Sequence, residues 1–287
     1  MNIFKIVLTR QFYFSVIATI ILPFITFAQS IPLQLLPSGH IIVEAEIEGK
    51  RGNFIFDTGG GINLFFDDFA KELKKNESYN FLTAFRATGE KMTIPLYRSS
   101  TIKFNGREFN DIPFSTFDMK LAGIDGLISL PMFYDTEFII DYTKKQLIFP
   151  KEKLKSDKII PIQLTTNADQ SLDISTYIYL NKKYRINILL DSGAGDDSFW
   201  FSDRFISTLE LDPTKLEVTE RASEFNPQIK TKYSKGHIKS ISNSFAKREN
   251  PTVFFVEGLI YEGKTSINWL GKKLGFNLKE KKIYLLD

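Results

Sequence analysis

The chain has 287 residues, 43% hydrophobic and 25% charged, with a formal net charge of +3. This is the composition of a globular protein with room for one large domain or two modest ones, and it excludes disordered and fibrous classes. With no cysteine and only two histidines, His40 and His237, disulfides, thiolate zinc sites, iron–sulfur clusters, cysteine nucleophiles and a histidine-rich metal cage are also excluded, leaving chemistry to carboxylates and hydroxyls.

Residues 1–10 carry Lys5 and Arg10 and no acid, and an apolar run from Phe12 to Ala28 follows, ending in small residues. This layout predicts a secretory signal peptide over 1–28, cleaved after Ala28, and a protein exported to the periplasm or the exterior. The alternative is a membrane anchor formed by residues 12–28; Pro23 inside the run and the Ala28 exit favour cleavage. Removing Lys5 and Arg10 leaves 35 of the 37 basic residues against 34 acidic ones. A near-neutral mature chain without a basic stripe predicts no nucleic-acid partner.

Beyond this segment the chain repeats itself. A strand-like alternation over His40–Ile47 leads through a turn at Gly49–Gly52 into Asn53-Phe-Ile-Phe and then Asp57-Thr58-Gly59-Gly60-Gly61. A helix signal follows at Asp67–Lys75, then a hairpin signal at Asn105-Gly106 and a closing segment, Phe138–Phe149. The charged stretch 151–158 reads as a solvated linker. The second half repeats the order: a strand over Ile174–Leu180, a turn at Asn181–Lys183, Asn187-Ile-Leu-Leu, then Asp191-Ser192-Gly193-Ala194-Gly195, a helix signal to Leu209 with Ser202 as its N-cap, and a closing segment, Leu274–Leu285. The aspartates are 134 residues apart, as are Thr58 and Ser192. These matches predict an all-β chain with short helices, divided into lobes at 31–150 and 159–287.

Each copy places Asp-Thr/Ser-Gly directly after an apolar strand. A carboxylate there is expensive unless hydrogen-bonded or functional, and the glycine allows close backbone approach. Lobes related by an approximate two-fold bring Asp57 and Asp191 face to face. Two such carboxyls share one proton, so one serves as base towards water while the other donates to a carbonyl.

These motifs, with the later Gly123-Ile-Asp125-Gly126-Leu127-Ile128-Ser129, resemble the aspartic peptidases, both the two-lobed pepsin type and the single-lobed retroviral type. The resemblance implies two similar closed β-barrel lobes of the acid-protease type with the active site between them. It implies Asp57 and Asp191 as the catalytic dyad, Thr58 and Ser192 as cross-braces, and Gly59 and Gly193 as dyad-supporting glycines. It also implies a monomer holding both lobes, a peptide or protein substrate, and no metal or organic cofactor.

The chain departs from the family in three places. Gly60-Gly61 and Ala194-Gly195 stand where hydroxyl residues often follow the motif, and Ser129 replaces a glycine. In the second copy of the packing motif, Lys264 and Thr265 occupy the places of two hydrophobic residues. The expected flap is the hairpin tip at Ala87-Thr88-Gly89-Glu90, with a lesser candidate at Phe225–Gln228. His40 and His237 read as surface residues, Asp196-Asp197 as a solvated loop, and Phe65-Phe66 and Phe199-Trp200-Phe201 as packing beneath the Asp loops. The expected function is an exported endopeptidase; the alternative is a peptide-binding protein that keeps the scaffold without turnover.

Overall fold

The computed structural model describes residues 29–104, 106–223 and 226–286. The expected signal peptide, Asn105 of the hairpin signal and Phe225 of the lesser flap candidate lie outside the described residues. In the first half, β1 (Gln29–Pro32) and β2 (Gln34–Leu35) precede the hairpin of β3 (Ile41–Ile47) and β4 (Lys50–Asp57). Then come β5 (Asn63–Phe66), one helical turn α1 (Asp67–Ala70), the long hairpin of β6 (Asn76–Phe85) and β7 (Lys91–Phe104), β8 (Arg107–Phe117), β9 (Gly126–Ser129), β10 (Phe138–Asp141) and β11 (Gln146–Phe149).

The second half holds β12 (Ile159–Pro161), β13 (Gln163–Thr166), β14 (Leu172–Leu180), β15 (Tyr184–Leu190), β16 (Phe199–Ser202), a helical turn α2 (Phe205–Thr208), β17 (Glu217–Ala222) and β18 (Lys230–His237). It ends with β19 (Ser240–Ser242), β20 (Lys247–Glu249), β21 (Thr252–Val256), β22 (Gly263–Thr265), β23 (Lys273–Asn277) and β24 (Lys282–Leu285).

Period-two patterning explains β3: Ile41, Val43, Ala45 and Ile47 are buried while Glu44 and Glu46 face outward. The turn after it is tighter than the sequence suggests. Only Glu48 (φ 49°) and Gly49 (φ 87°) form it, as a two-residue hairpin connection demands, and Gly52 already pairs with Ala45. The helix signals shrink to single turns, and residues 71–75 and 203–204 lie in turns, a bend and irregular backbone. Ser202 caps no helix, for it pairs with Val256 at the end of β16.

The first lobe is a closed barrel: β3, β4, β9, β5, β8 and β7 pair in turn, and β7 returns to β3 through Glu46↔Lys103 and Ile47↔Ile102. The second lobe follows the same order, β14, β15, β22, β16, β21 and β18, but does not close. This corrects the expectation of two closed barrels. The 14-residue β7 has enough length to meet three partners. Its counterpart is broken at Ile238–Lys239, between β18 and β19, and only β19 reaches β14. The adjoining strand is broken at Asn250–Pro251, where Asn250 has φ 48° and Pro251 has no N–H to donate.

A third sheet, ordered β1-β11-β10-β23-β24-β12, draws strands from both halves. The two closing segments of the repeat meet at its centre. Phe138 pairs with Phe276, their rings stacked at 4.7 Å and 5°. Residues 151–158 are mostly exposed, but Leu154 is buried and its N–H bonds Glu137, which also accepts from Asn277 at 2.6 Å. One hydrophobic cluster runs through both lobes and this sheet.

Candidate active site between the lobes

Asp57 is the last residue of β4, held parallel to β9 by Phe54↔Gly126 through Asp57↔Ser129. Asp191 follows β15, held parallel to β22 by Ile188↔Gly263 through Leu190↔Thr265. The same ladder therefore delivers each carboxylate to the interface. Phe65, Phe66, Phe199 and Phe201 are buried core residues, whereas Trp200, expected to pack with them, is partly exposed.

The loops grip each other symmetrically. Thr58 N–H donates to Ser192 Oγ at 3.0 Å, and Ser192 N–H donates to Thr58 Oγ1 at 3.0 Å. Each hydroxyl then donates onward across the interface, Thr58 Oγ1 to Leu190 O at 2.8 Å and Ser192 Oγ to Phe56 O at 2.6 Å. Both side chains are buried. Glycine is required beside them: a Cβ on Gly193 would stand 2.5 Å from Asp57 Cγ, and one on Gly59 would stand 2.7 Å from Asp191 Cγ. Gly59 N–H also donates to Asp57 Oδ1 at 2.8 Å. The structure thus brings together Asp57, Thr58, Gly59, Asp191, Ser192 and Gly193.

The two carboxyls act on each other's ionisation but are not equivalent. Burial, followed by the charge of Asp191 and the hydrogen bond with it, pushes Asp57 well above the usual carboxylate range. Burial acts on Asp191 in the same direction, but the charge and hydrogen bond of Lys264 outweigh it and hold Asp191 below its ordinary value. Lys264 Nζ lies 2.7 Å from Asp191 Oδ2, with 15% of its side chain exposed, and it sits 4.7 Å from the centre of the Trp200 ring. Burial works against the lysine's charge, yet Asp191 and Asp57 keep it protonated. Sequence reasoning noted Lys264 only as a break in packing. Its signal was a lysine on a short inner strand, in register with Leu189.

The cleft beside the Asp57 loop is a cavity of about 220 Å³ lined by Gly59–Ile62, Leu82–Phe85, Asp169, Asp173 and Tyr261, among others. Asp173 reaches it from β14. Burial and then the charges of Asp191 and Asp169 push its carboxyl up to about 6.

The β6–β7 hairpin lines this cavity with Leu82–Phe85, and its tip touches the second lobe. Ile260 N–H donates to Ala87 O at 3.0 Å, Gly89 sits at φ 81°, and a Cβ on Gly258 would lie 3.3 Å from Thr88 O. Arg86 Nη1 bonds Ser223 Oγ at 2.7 Å, and that hydroxyl donates to Glu90 Oε2 at 2.5 Å. The flap candidates Thr88 and Gly89 therefore lie against Gly258 and Ile260 of the second lobe, a contact no sequence signal announced.

Other singled-out residues lie elsewhere. His40 Nδ1 pairs with Ser38 Oγ at 2.7 Å, and His237 is exposed in β18. Asp197 is exposed and bonds Arg248 at 3.3 Å. Among the described residues no His, Cys, Asp or Glu cluster suits a metal ion, and no helix is long and apolar enough to cross a membrane.

A two-lobed β fold with a facing pair of aspartates on cross-braced loops defines a dyad-type site. Residues 43–132, within the first lobe, match the family model described as aspartyl protease, and the matched stretch contains Asp57, Thr58 and Gly59. No curated protein sequence matches the chain. Among solved structures, the crystal structure of edgp is similar at 9% identity and a TM-score of 0.49, covering 89% of this chain and 94% of that one. The crystal structure of a retropepsin-like aspartic protease from Rickettsia conorii is similar at 22% identity and a TM-score of 0.32, covering 43% of this chain and 91% of that one.

Proposed function

We propose that the protein is an exported aspartic endopeptidase that hydrolyses peptide bonds with water activated between Asp57 and Asp191. The carrying observation is the symmetric brace of Thr58 and Ser192, which sets Gly59 against Asp191 and Gly193 against Asp57, with one carboxyl pushed up and the other held down, so that the pair keeps a single proton over a wide pH range. Such a pair holds a water, with one carboxyl as base and the other as acid towards the substrate carbonyl. In this reading the β6–β7 hairpin, whose Leu82–Phe85 line the cavity, covers the bound peptide, and both lobes act within one chain. Export rests on the apolar run before Ala28.

A second reading is a peptide-binding protein without turnover. The ion pair between Lys264 and Asp191 favours it, because an ammonium clamped on a carboxylate makes a weaker base. Cleavage of a mixed peptide library from acid to neutral pH separates the two. The endopeptidase cuts, and Asp57→Asn and Asp191→Asn each lower the rate by at least about 10³-fold, as expected when a group that handles the proton is removed. A folded wild type that binds peptides but cuts none rejects the enzyme reading.

A further inference from the structure

The dyad's two loops share a backbone but not a neighbour. The residue in register with Ile55, two before Asp57, is Leu127; the residue in register with Leu189, two before Asp191, is Lys264. The second lobe has thus placed a cation on the inner strand that flanks the dyad. Its Nζ is 2.7 Å from Asp191 Oδ2, and Trp200 holds it from the side.

We propose that Lys264 is a positioning residue that divides the work of the dyad: its ammonium keeps Asp191 as the charged carboxylate that takes water's proton, and leaves Asp57 to carry the proton that the substrate carbonyl receives. This rests on the endopeptidase reading and deepens it by assigning roles to two otherwise like groups.

The step balances. Water oxygen bonds to the carbonyl carbon as its proton passes to Asp191, while the carbonyl oxygen takes the proton of Asp57, giving a gem-diol. On collapse the C–N bond breaks, Asp191 passes its proton to the leaving amine nitrogen, and one diol hydroxyl returns a proton to Asp57. The resting state is restored, with Asp57 protonated and Asp191 paired to Lys264.

The charged groups around this ion pair are few. Lys264 meets Asp191, Asp57 and, from β18, Tyr233. Asp173 on β14 and Tyr261 are both pushed up, first by burial and then by neighbouring charge that includes Asp191. Ile188 and Leu189 on the adjoining strand are apolar, and Glu262 points to Asn187 N–H. Lys264 therefore offsets the two acids Asp57 and Asp191, and moving it must shift their ionisation.

The test is a carboxyl-carbon NMR titration of the full mature chain, with Asp57→Asn and Asp191→Asn used to assign signals. This readout needs no turnover. In the wild type, Asp191 is expected to ionise first and Asp57 much later. Lys264→Met is expected to raise the Asp191 midpoint by about 1–3 pH units, the usual effect of an adjacent opposite charge, and Lys264→Arg to restore it. Where the protein cuts peptides, the acid limb of kcat/KM moves with the Asp191 midpoint. An unchanged midpoint in folded Lys264→Met, or Asp57 ionising first in the wild type, overturns the proposal. If Lys264→Met does not fold, the wild-type order decides. If the order holds but nothing is cut, the endopeptidase reading fails while the electrostatic role of Lys264 stands.

Discussion

The two halves of the site differ in a telling way. Around Asp57 the strand ladder, the brace and the supporting glycine match those around Asp191, yet Asp57 is partly exposed while Asp191 is only 5% exposed and carries a lysine on its oxygen. The barrels differ in the same sense, the first closed by one long strand and the second interrupted at Ile238–Lys239 and Asn250–Pro251. A repeated backbone reproduces what depends on backbone groups. Charge depends on side chains of flanking strands, and these the two lobes do not share.

The symmetric part of the comparison can be broken first. Ser192→Ala strands Thr58 N–H and Phe56 O, and Thr58→Val strands Ser192 N–H and Leu190 O, all at a buried interface. Each substitution is expected to cost about 2–4 kcal/mol in urea denaturation, from two unsatisfied buried groups apiece. Losses that differ by more than about 1 kcal/mol between the two variants would show that the brace is not symmetric in energy, whatever its geometry.

The asymmetric part is sharpened by Asp173, the extra acid facing Asp191. Its folded value of about 6 exceeds the ordinary 3.8, so between these values the folded state binds the proton more tightly than the unfolded chain. Stability therefore falls as pH rises through this window. Asp173→Asn removes that loss. It is expected to be more stable than wild type by about 1–2 kcal/mol at pH 7.5, an advantage that vanishes near pH 4. A pH-independent difference would place the origin in packing rather than charge.

The smallest expected effect lies where the lobes are joined. Glu137 of the first half holds Asn277 of the second at 2.6 Å and Leu154 N–H at 3.0 Å. Asn277→Ala is expected to cost about 1 kcal/mol and to leave the unfolding transition single. Two separate transitions would show that the lobes depend on this joint more than the shared Phe138–Phe276 sheet suggests.

The parts of this fold legible in the sequence are those set by local pattern. The alternation in β3 and β14, the apolar runs into Asp57 and Asp191, and the matching closing segments all follow from side-chain periodicity and from the repeat. The helix signals failed for a physical reason. Asp67–Lys75 and Ser202–Leu209 have helical spacing, but one turn cannot outweigh the strand pairing on either side, and Ser202 spends its backbone on β21. Closure of the barrel was equally illegible, since Pro251 marks a break without saying which pairing it removes.

The sequence by itself determined that two like strands each end in an aspartate followed by a hydroxyl residue and a glycine, because this information is carried by adjacent residues. Only the tertiary structure decided that Lys264, 73 residues after Asp191, lies on that carboxylate, that the hairpin at Thr88 and Gly89 rests on the second lobe, and that one barrel closes while the other does not. These depend on register between distant strands, and a shift of one residue would turn Lys264 to the other face of the sheet.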